Sequence, residues 1–237
     1  MHKSTPTQQA LAWGVHLFTA SGAIFALLAT FAIFEQQWQM AFIWMAVTVL
    51  IDSFDGMLAR ALGVKDTLPQ FDGALLDNII DYQTYVFIPA LLLVQAELLP
   101  PALALVGAAV IVLTSAYQFA QADAKTDDHF FKGFPSYWNV VALYLFLLAL
   151  NPWLNLLLVL LCGVLVFVPV KYVYPSRTRR MQRLTMLLSL LWGIMVLVAL
   201  IEYPLVRPLL IRGSLLFIVY YVGLSIYLTK RPLTPSL

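Results

Sequence analysis

Four aspartates have the spacing of residues that face one another across two helices. Asp52 and Asp55 are three residues apart, and Asp77 and Asp81 are four apart. Side chains at these spacings share one face of an α-helix. Four carboxylates held close together repel one another, and a divalent cation removes that repulsion. Because carboxylate oxygens suit magnesium, manganese or calcium, the four residues predict a metal site.

Small residues and one cation flank the acidic faces. Gly56 and Ala59 follow Asp55, and Gly73 lies one turn before Asp77. Positions without large side chains let a flat or phosphorylated ligand approach the backbone, although small residues also serve ordinary helix packing. Arg60 lies one turn beyond Gly56 and is suited to pair with an aspartate or a phosphate.

The elements that carry these residues are membrane helices. The chain has 237 residues, of which 62% are hydrophobic and 11% are charged, whereas a soluble domain carries about a quarter charged residues. A membrane helix needs about 20 mostly apolar residues. We predict an all-α, polytopic transmembrane helix bundle and a single domain, 1–237. Its eight spans are 13–34, 39–62, 71–95, 100–122, 136–150, 154–174, 184–202 and 208–229.

The distribution of basic residues predicts the orientation. Twelve of the fourteen lysines and arginines fall on one side of the eight-span arrangement, and Arg207 and Arg212 fall on the other. Cytoplasmic loops carry this excess, so both termini and the acidic ends of spans 39–62 and 71–95 should be cytosolic. The twelve are Lys3, Arg60, Lys65, Lys125, Lys132, Lys171, Arg177, Arg179, Arg180, Arg183, Lys230 and Arg231.

The aspartate pattern resembles the signature of the CDP-alcohol phosphotransferase family. That signature reads Asp-x-x-Asp-Gly-x-x-Ala-Arg, a spacer, and Gly-x-x-x-Asp-x-x-x-Asp. The resemblance implies a membrane-embedded and usually dimeric enzyme, which moves a phosphoalcohol group from a cytidine diphosphate donor to an acceptor hydroxyl and releases CMP. The spacer, 61–72, is longer than in the common form of the signature. The matching residues are Asp52, Asp55, Gly56, Ala59, Arg60, Gly73, Asp77 and Asp81.

The resemblance also implies roles for individual residues. Asp52, Asp55 and Asp77 should hold two divalent ions, while Asp81 should face the metals and act as the general base. Thr19 should help to bind the nucleotide, and His16 stands where many relatives carry asparagine. The residues expected along the CDP are Gly56, Ala59, Arg60, Gly73 and Thr19.

A closer resemblance is to the bacterial branch of the family that uses choline as the acceptor. It rests on the segments 71–82, 117–119, 122–131 and 133–139, and on the number of spans. It implies that CDP-diacylglycerol and choline give phosphatidylcholine and CMP in the cytoplasmic (inner) membrane, at a site that faces the cytosol. Manganese is the metal that this branch implies, and magnesium is the alternative.

Aromatic side chains are the natural partners of choline, because its quaternary ammonium has no N–H to donate. Tyr117, Tyr137 and Trp138 are the preferred candidates for a choline cage. Aromatic residues at the membrane interface are an alternative explanation for each ring. The full set of predicted choline-binding residues is Tyr117, Tyr137, Trp138, Asp123, Tyr82 and Tyr85.

The donor lipid needs cations for its phosphates. Lys171, Arg177 and Arg180 belong to the basic segment 171–183 and are candidates for this role. The same residues also suit the positive-inside rule and contact with anionic headgroups.

Other functions remain open at this point. A related enzyme could use serine, glycerol phosphate or inositol phosphate as the acceptor. A divalent-cation transporter is a different class, but transporters place acidic residues near the bilayer midplane, on broken helices and in repeats. A catalytically inactive scaffold is a third. Membrane lipids and a second copy of the chain are the expected partners, and no nucleic acid is expected.

Overall fold

The computed structural model describes residues 4–126, 128, 130–175, 177–178 and 180–230. Lys3, Arg179 and Arg231, which contribute to the predicted orientation, lie outside the described residues. The described chain is almost entirely helical, so the predicted all-α, polytopic membrane architecture is confirmed.

The element bounds follow the predicted spans closely along most of the chain. In addition to the α-helices there is a π-helical turn at Tyr82–Phe87 and a 3₁₀ turn at Pro101–Leu103. The two strands are β1 (Phe130–Lys132) and β2 (Lys171–Val173). The helices are α1 (Pro6–Phe34), α2 (Trp38–Ala61), α3 (Val64–Thr67), α4 (Gly73–Asp81), α5 (Ile88–Gln95), α6 (Ala104–Ala120), α7 (Trp138–Leu148), α8 (Pro152–Leu165), α9 (Gln182–Ile201) and α10 (Pro208–Lys230).

The first helix begins earlier than its apolar run. Thr5 accepts a hydrogen bond from the Gln8 N–H, the Gln8 side chain accepts one from the Thr5 N–H, and Pro6 occupies the first turn. This capping box satisfies N–H groups that a helix start leaves without partners. The spacer 61–72 contains the short helix α3, which lengthens the connection between α2 and α4.

Five helices within the described residues are long and apolar enough to cross a membrane: α1, α2, the 3₁₀ turn with α6, α9 and α10. A sixth apolar segment runs without a gap through α4, the π turn and α5, from Gly73 to Gln95. The α7 and α8 helices have 11 and 14 residues, fewer than the ~20 that a full crossing needs. The count of eight spans and the cytosolic termini therefore stay predictions.

The π turn in the third segment has a local cause. Pro89 has no N–H to donate to the carbonyl of Tyr85, four residues earlier, so an ordinary α-helical bond is missing there. The Ile88 N–H instead bonds to the Gln83 carbonyl, five residues back. The wider turn changes the direction of the side chains that follow Asp81, and such turns are frequent at functional sites.

The structure corrects the sequence prediction at two places. The predicted span 154–174 is wrong beyond Leu165, because 171–173 forms β2. The connection between the predicted spans 100–122 and 136–150 contains β1, which the sequence did not predict. The two strands pair antiparallel, with Phe131 opposite Tyr172.

The main core lies among α1, α2, the third segment, α6, α7 and α8. Its small residues, such as Ala26 and Ala29 on α1 and Ala41 on α2, let these helices approach closely, as in other membrane bundles. The Tyr144 hydroxyl donates to Ser214 (2.8 Å) and accepts from the Trp192 indole (2.8 Å). These bonds join α7, α9 and α10, and they satisfy polar groups that could find no water in a bilayer.

Candidate metal and nucleotide site

Three carboxylates meet between α2 and α4. Asp52, Asp55 and Asp77 each offer an oxygen, and these oxygens all lie within 4.8 Å of one another. Asp55 is buried, with 5% of its surface exposed, and the other two are half-buried. Three hard oxygen donors at this separation fit a divalent cation. The predicted convergence of the two helix faces is therefore observed, and the donor set agrees with divalent metal binding.

Asp81 lies one helical turn beyond Asp77 on α4. Its carboxylate interacts electrostatically with those of Asp52 and Asp77, but it does not belong to the group of three oxygens that lie within 4.8 Å of one another. The structure thus brings Asp81 beside the trio. Its predicted roles, facing the metals and acting as the general base, stay predictions.

Tyr85, a residue of the π turn, contacts the same trio. The Tyr85 hydroxyl donates a hydrogen bond of 2.7 Å to Oδ2 of Asp52. This bond satisfies one oxygen of Asp52 and leaves the other available to a ligand. The hydroxyl reaches α2 from the π turn that Pro89 induces.

Asp55 is surrounded by polar groups from α1 and α2. The Thr19 side chain, the Gly56 N–H and the Arg60 guanidinium all interact with its carboxylate. A Cβ atom added at Gly56 would lie 3.1 Å from Nη1 of Arg60, so the guanidinium folds back over this glycine. Thr19, Gly56 and Arg60 thus lie at the trio, and their contact with a nucleotide stays a prediction. Ala59 instead packs in a small apolar cluster with Ala12 of α1 and its neighbours.

Gly73 is packed against the imidazole of His16. A Cβ atom at Gly73 would lie only 2.6 Å from Cε1 of His16, so no larger residue fits without movement. The ring of His16 lies 4.4 Å from that of Phe71 and 5.7 Å from that of Trp13. Its Nε2 is buried and has no hydrogen-bond partner within the described chain. Gly73, which is predicted to line the nucleotide, therefore packs against His16, the residue that stands where many relatives carry asparagine.

Two of the six predicted choline residues lie beside the carboxylates. The rings of Tyr85 and Tyr137 are 6.0 Å apart, and Tyr137 also lies 6.1 Å from Phe131 and 6.4 Å from Tyr221. Since Tyr85 is bonded to Asp52, this aromatic group begins at the trio and extends towards β1 and α10. Phe131 and Tyr221 were not among the predicted site residues.

Trp138 and Tyr82 have partners in the helical core. Trp138 is fully buried, and its indole N–H donates to Ser115 (2.8 Å). The Tyr82 hydroxyl donates to the Val112 carbonyl of α6 (2.9 Å). Neither residue is among the rings that contact Tyr137.

Tyr117 and Asp123 lie towards the surface. Tyr117 is exposed and its ring lies 4.9 Å from that of Phe167. Asp123 forms an ion pair of 2.6 Å with Lys132, and that ammonium lowers the pKa of Asp123 below its ordinary value. The carboxylate of Asp123 is thereby already paired.

The predicted lipid-phosphate residues form three separate contacts. Lys171 pairs with Asp128 at 2.5 Å. Arg177 lies over the Tyr174 ring, and Arg180 lies over the Tyr227 ring, at 5.7 Å and 5.6 Å. Each of the three has a different partner, and their role at the donor phosphates stays a prediction.

Sequence reasoning overlooked Lys125 as a site residue. Its ammonium interacts electrostatically with the carboxylates of Asp52, Asp77 and Asp81. Lys125 follows α6 and lies far from the aspartate motif in the chain. No helical spacing links it to the motif, and its antiparallel bridge with Phe131 places it beside the site.

Comparison with known families identifies the class to which this fold and site belong. A model of the family described as CDP-alcohol phosphatidyltransferase matches residues 16–170, which include all four aspartates. The chain belongs to this family of transferases.

Individual relatives match nearly the whole chain. A phosphatidylcholine synthase of Legionella pneumophila is 44% identical over 97% of this chain and 92% of its own length. A phosphatidylcholine synthase of Pseudomonas aeruginosa is 39% identical over 96% of this chain and 95% of its own length. One of Borreliella burgdorferi is 36% identical over 93% of this chain and 95% of its own length.

Proposed function

We propose that this chain transfers the phosphatidyl group of CDP-diacylglycerol to choline, with phosphatidylcholine and CMP as products. The observation that carries the proposal is the carboxylate trio with Asp81 and the Tyr85–Tyr137 pair beside it. Relatives named phosphatidylcholine synthase, similar over most of both chains, support choline as the acceptor.

Asp52, Asp55 and Asp77 would hold the divalent ions. When bound, such ions polarise the diphosphate and offset the charge on the leaving CMP. We propose manganese as the metal, with magnesium as the alternative. Arg60 is beside Asp55 and Gly56, where it can contact a nucleotide phosphate. Thr19 and Gly73 would line the nucleotide.

Asp81 would take the proton of the choline hydroxyl. The choline oxygen then forms a bond to the phosphorus of the phosphatidyl group, and the bond from that phosphorus to the CMP oxygen breaks. Asp81 suits this role because its carboxylate interacts with those of the trio but lies outside the group of three that would hold the metals. A positioned base of this kind contributes about 10²–10⁴-fold to the rate.

The rings of Tyr85 and Tyr137 would receive the trimethylammonium group. A cation over an aromatic face is attracted by about 0.5–2 kcal/mol, and the attraction grows as water is removed. Tyr137 is half-buried, and its neighbours are themselves aromatic. Lys171, Arg177 and Arg180 would meet lipid headgroups at the membrane surface instead of forming one phosphate site.

We further propose the domain organisation, membrane topology and oligomeric state of the enzyme. It forms a single domain, 1–237, with eight spans and both termini in the cytosol. It lies in the bacterial inner membrane with its site facing the cytosol, and it forms a homodimer. The excess of basic residues on one side supports this orientation.

The test is incorporation of labelled choline into lipid by purified protein with CDP-diacylglycerol, in manganese, in magnesium and in excess EDTA. We expect labelled phosphatidylcholine and stoichiometric CMP, with no product in EDTA. Parallel reactions contain serine, glycerol phosphate or inositol phosphate. Incorporation of one of these acceptors in place of choline would overturn the choline assignment. Manganese uptake by proteoliposomes without CDP-lipid, together with no transfer, would favour a transporter.

A further inference from the structure

Residues 124–126 pair antiparallel with β1 (Phe130–Lys132), and the two paired stretches form a small hairpin. Lys125 and Phe131 form an antiparallel bridge. The Lys132 N–H donates to the Ala124 carbonyl, and the Thr126 N–H donates to the Phe130 carbonyl, each at 2.9 Å. Lys125 and Phe131 are therefore direct neighbours across the hairpin, although five residues separate them in the chain.

One face of this hairpin is turned to the carboxylates. Side chains of residues directly opposite each other in an antiparallel pair lie on the same face. The Phe131 ring lies 6.1 Å from that of Tyr137, which lies 6.0 Å from that of Tyr85, and Tyr85 bonds to Asp52. Lys125 shares the face of Phe131, so its ammonium is on the side of the metal site.

The opposite face of the hairpin carries a second lysine, Lys132, which is already paired. Successive residues of a strand point to opposite faces, so Lys132 points away from the face of Phe131. Lys132 is held by Asp123 at 2.6 Å. Lys125 is exposed and makes no ion pair within the described residues. Its ammonium interacts electrostatically with the carboxylates of Asp52, Asp77 and Asp81.

When cations occupy the trio they neutralise Asp52 and Asp77, and of the three carboxylates only that of Asp81, outside the trio, is left to Lys125. The ammonium then has donors left for an anion that enters with the substrate. A lysine ammonium is a compact point charge with three donors, which suits a phosphate oxygen. Phe131 beside it adds an aromatic face for a quaternary ammonium that follows the phosphate in the product headgroup.

We propose that Lys125 binds the phosphate of the donor that is transferred, the one that carries the diacylglycerol, and holds it during the attack. This inference rests on the proposed phosphatidyl transfer, but it does not depend on choline as the acceptor. The hairpin and Tyr137 would thus bind both halves of a phosphocholine headgroup, with Lys125 at the phosphate and Phe131 and Tyr137 at the ammonium.

The test compares Lys125→Ala, Lys125→Met and Lys125→Arg with the matched control Lys132→Ala, which removes one charge from the other face of the same hairpin. We expect Lys125→Ala and Lys125→Met to lose about 10- to 100-fold in kcat/KM for CDP-diacylglycerol, as for a lost bond to a charged group. The KM for choline should not change. Lys125→Arg should retain most of the activity, and Lys132→Ala should match the wild type.

A binding measurement separates a phosphate contact from a structural role. In the presence of manganese, CDP and CMP should both raise the Tm of the wild-type protein. Lys125→Met, which keeps the aliphatic stem, should lose much of the shift with CDP and keep the shift with CMP, because only CDP carries the second phosphate.

The outcomes also separate this inference from the proposed function. Lys125 variants that match Lys132→Ala in kcat/KM and in the CDP shift would overturn the role of Lys125, even if choline transfer is observed. If the wild type transfers to no acceptor, the proposed function fails, and a selective loss of the CDP shift would still support the phosphate contact.

Discussion

Two adjoining regions surround the site, and they differ in how their parts are brought together. In the helical region, Asp52, Asp55, Asp77 and Asp81 come from two consecutive helix faces within thirty residues of chain. In the strand region, β1 pairs with β2 from about forty residues further on, and Lys125 pairs with Phe131 of β1. The first region supplies the chemistry, and the second supplies rings and charges around it.

Because of this difference, we expect the two regions to respond differently to amino-acid substitutions. Helical spacing fixes the aspartates relative to one another, and the small residues Gly56 and Gly73 fix how closely their neighbours approach. The strand region depends on pairing across long stretches of chain and on contacts such as those of Tyr137. We expect substitutions in the helical region to abolish turnover, and those in the strand region to change substrate binding or stability.

The largest expected effect is that of Asp81→Asn. The amide cannot accept the hydroxyl proton, so kcat should fall by about 10²–10⁴-fold while the protein remains folded. The measurement is choline incorporation together with the Tm of the purified variant. Asp66→Asn is the control, because Asp66 is an exposed residue of α3 outside the trio. Near-normal turnover of Asp81→Asn would remove Asp81 as the base.

Gly73→Ala should have the next largest effect. The new Cβ would lie 2.6 Å from Cε1 of His16, and relieving such a contact costs about 1–3 kcal/mol. Because Gly73 begins the helix that carries Asp77, we expect both the Tm and the affinity for CDP to fall. Gly14→Ala is the matched control on α1, where a Cβ meets no atom within 4 Å. Equal behaviour of the two variants would contradict close packing at Gly73.

The sequence predicted the helical region well because its information is local. The apolar spans, the three- and four-residue spacing of the aspartates and the positions of Gly56 and Gly73 are all periodic features. The strand region could not be predicted in this way, since β1 and β2 have three residues each and lie far apart in the chain. Trp138 and Tyr82 were named as choline candidates by residue type, and their bonds to Ser115 and Val112 depend on tertiary packing.

A smaller effect should distinguish the two tyrosines of the π turn. Tyr85→Phe removes the hydrogen bond to Asp52, and the loss of about 1 kcal/mol should reduce kcat/KM about fivefold. Tyr82→Phe removes a bond of similar length to the Val112 carbonyl and should affect the Tm more than the rate. If Tyr82→Phe reduced kcat/KM as much as Tyr85→Phe, the special position of Tyr85 at the trio would be refuted.

The smallest expected effect concerns the ion pair that supports the strand region. Burial raises the pKa of Asp128, but hydrogen bonds from Lys171 and Thr126 outweigh it, so the pKa lies below its ordinary value. A carboxyl with a lowered pKa in the folded state stabilises the protein above its unfolded pKa of about 3.9. That stabilisation is lost as the pH falls through the lower folded value.

Solvent screening limits the size of this contribution. The Lys171 and Asp128 side chains are 30% and 32% exposed, so we expect at most about 1 kcal/mol. The Tm of the wild type should exceed that of Asp128→Asn at pH 6, and the difference should shrink as the pH approaches 3. The control is Asp123→Asn, whose ion pair with Lys132 is more exposed and should give a smaller difference. A difference that is equal at all pH values would show that Asp128 stabilises the strands through its shape and neutral hydrogen bonds, and not through its charge.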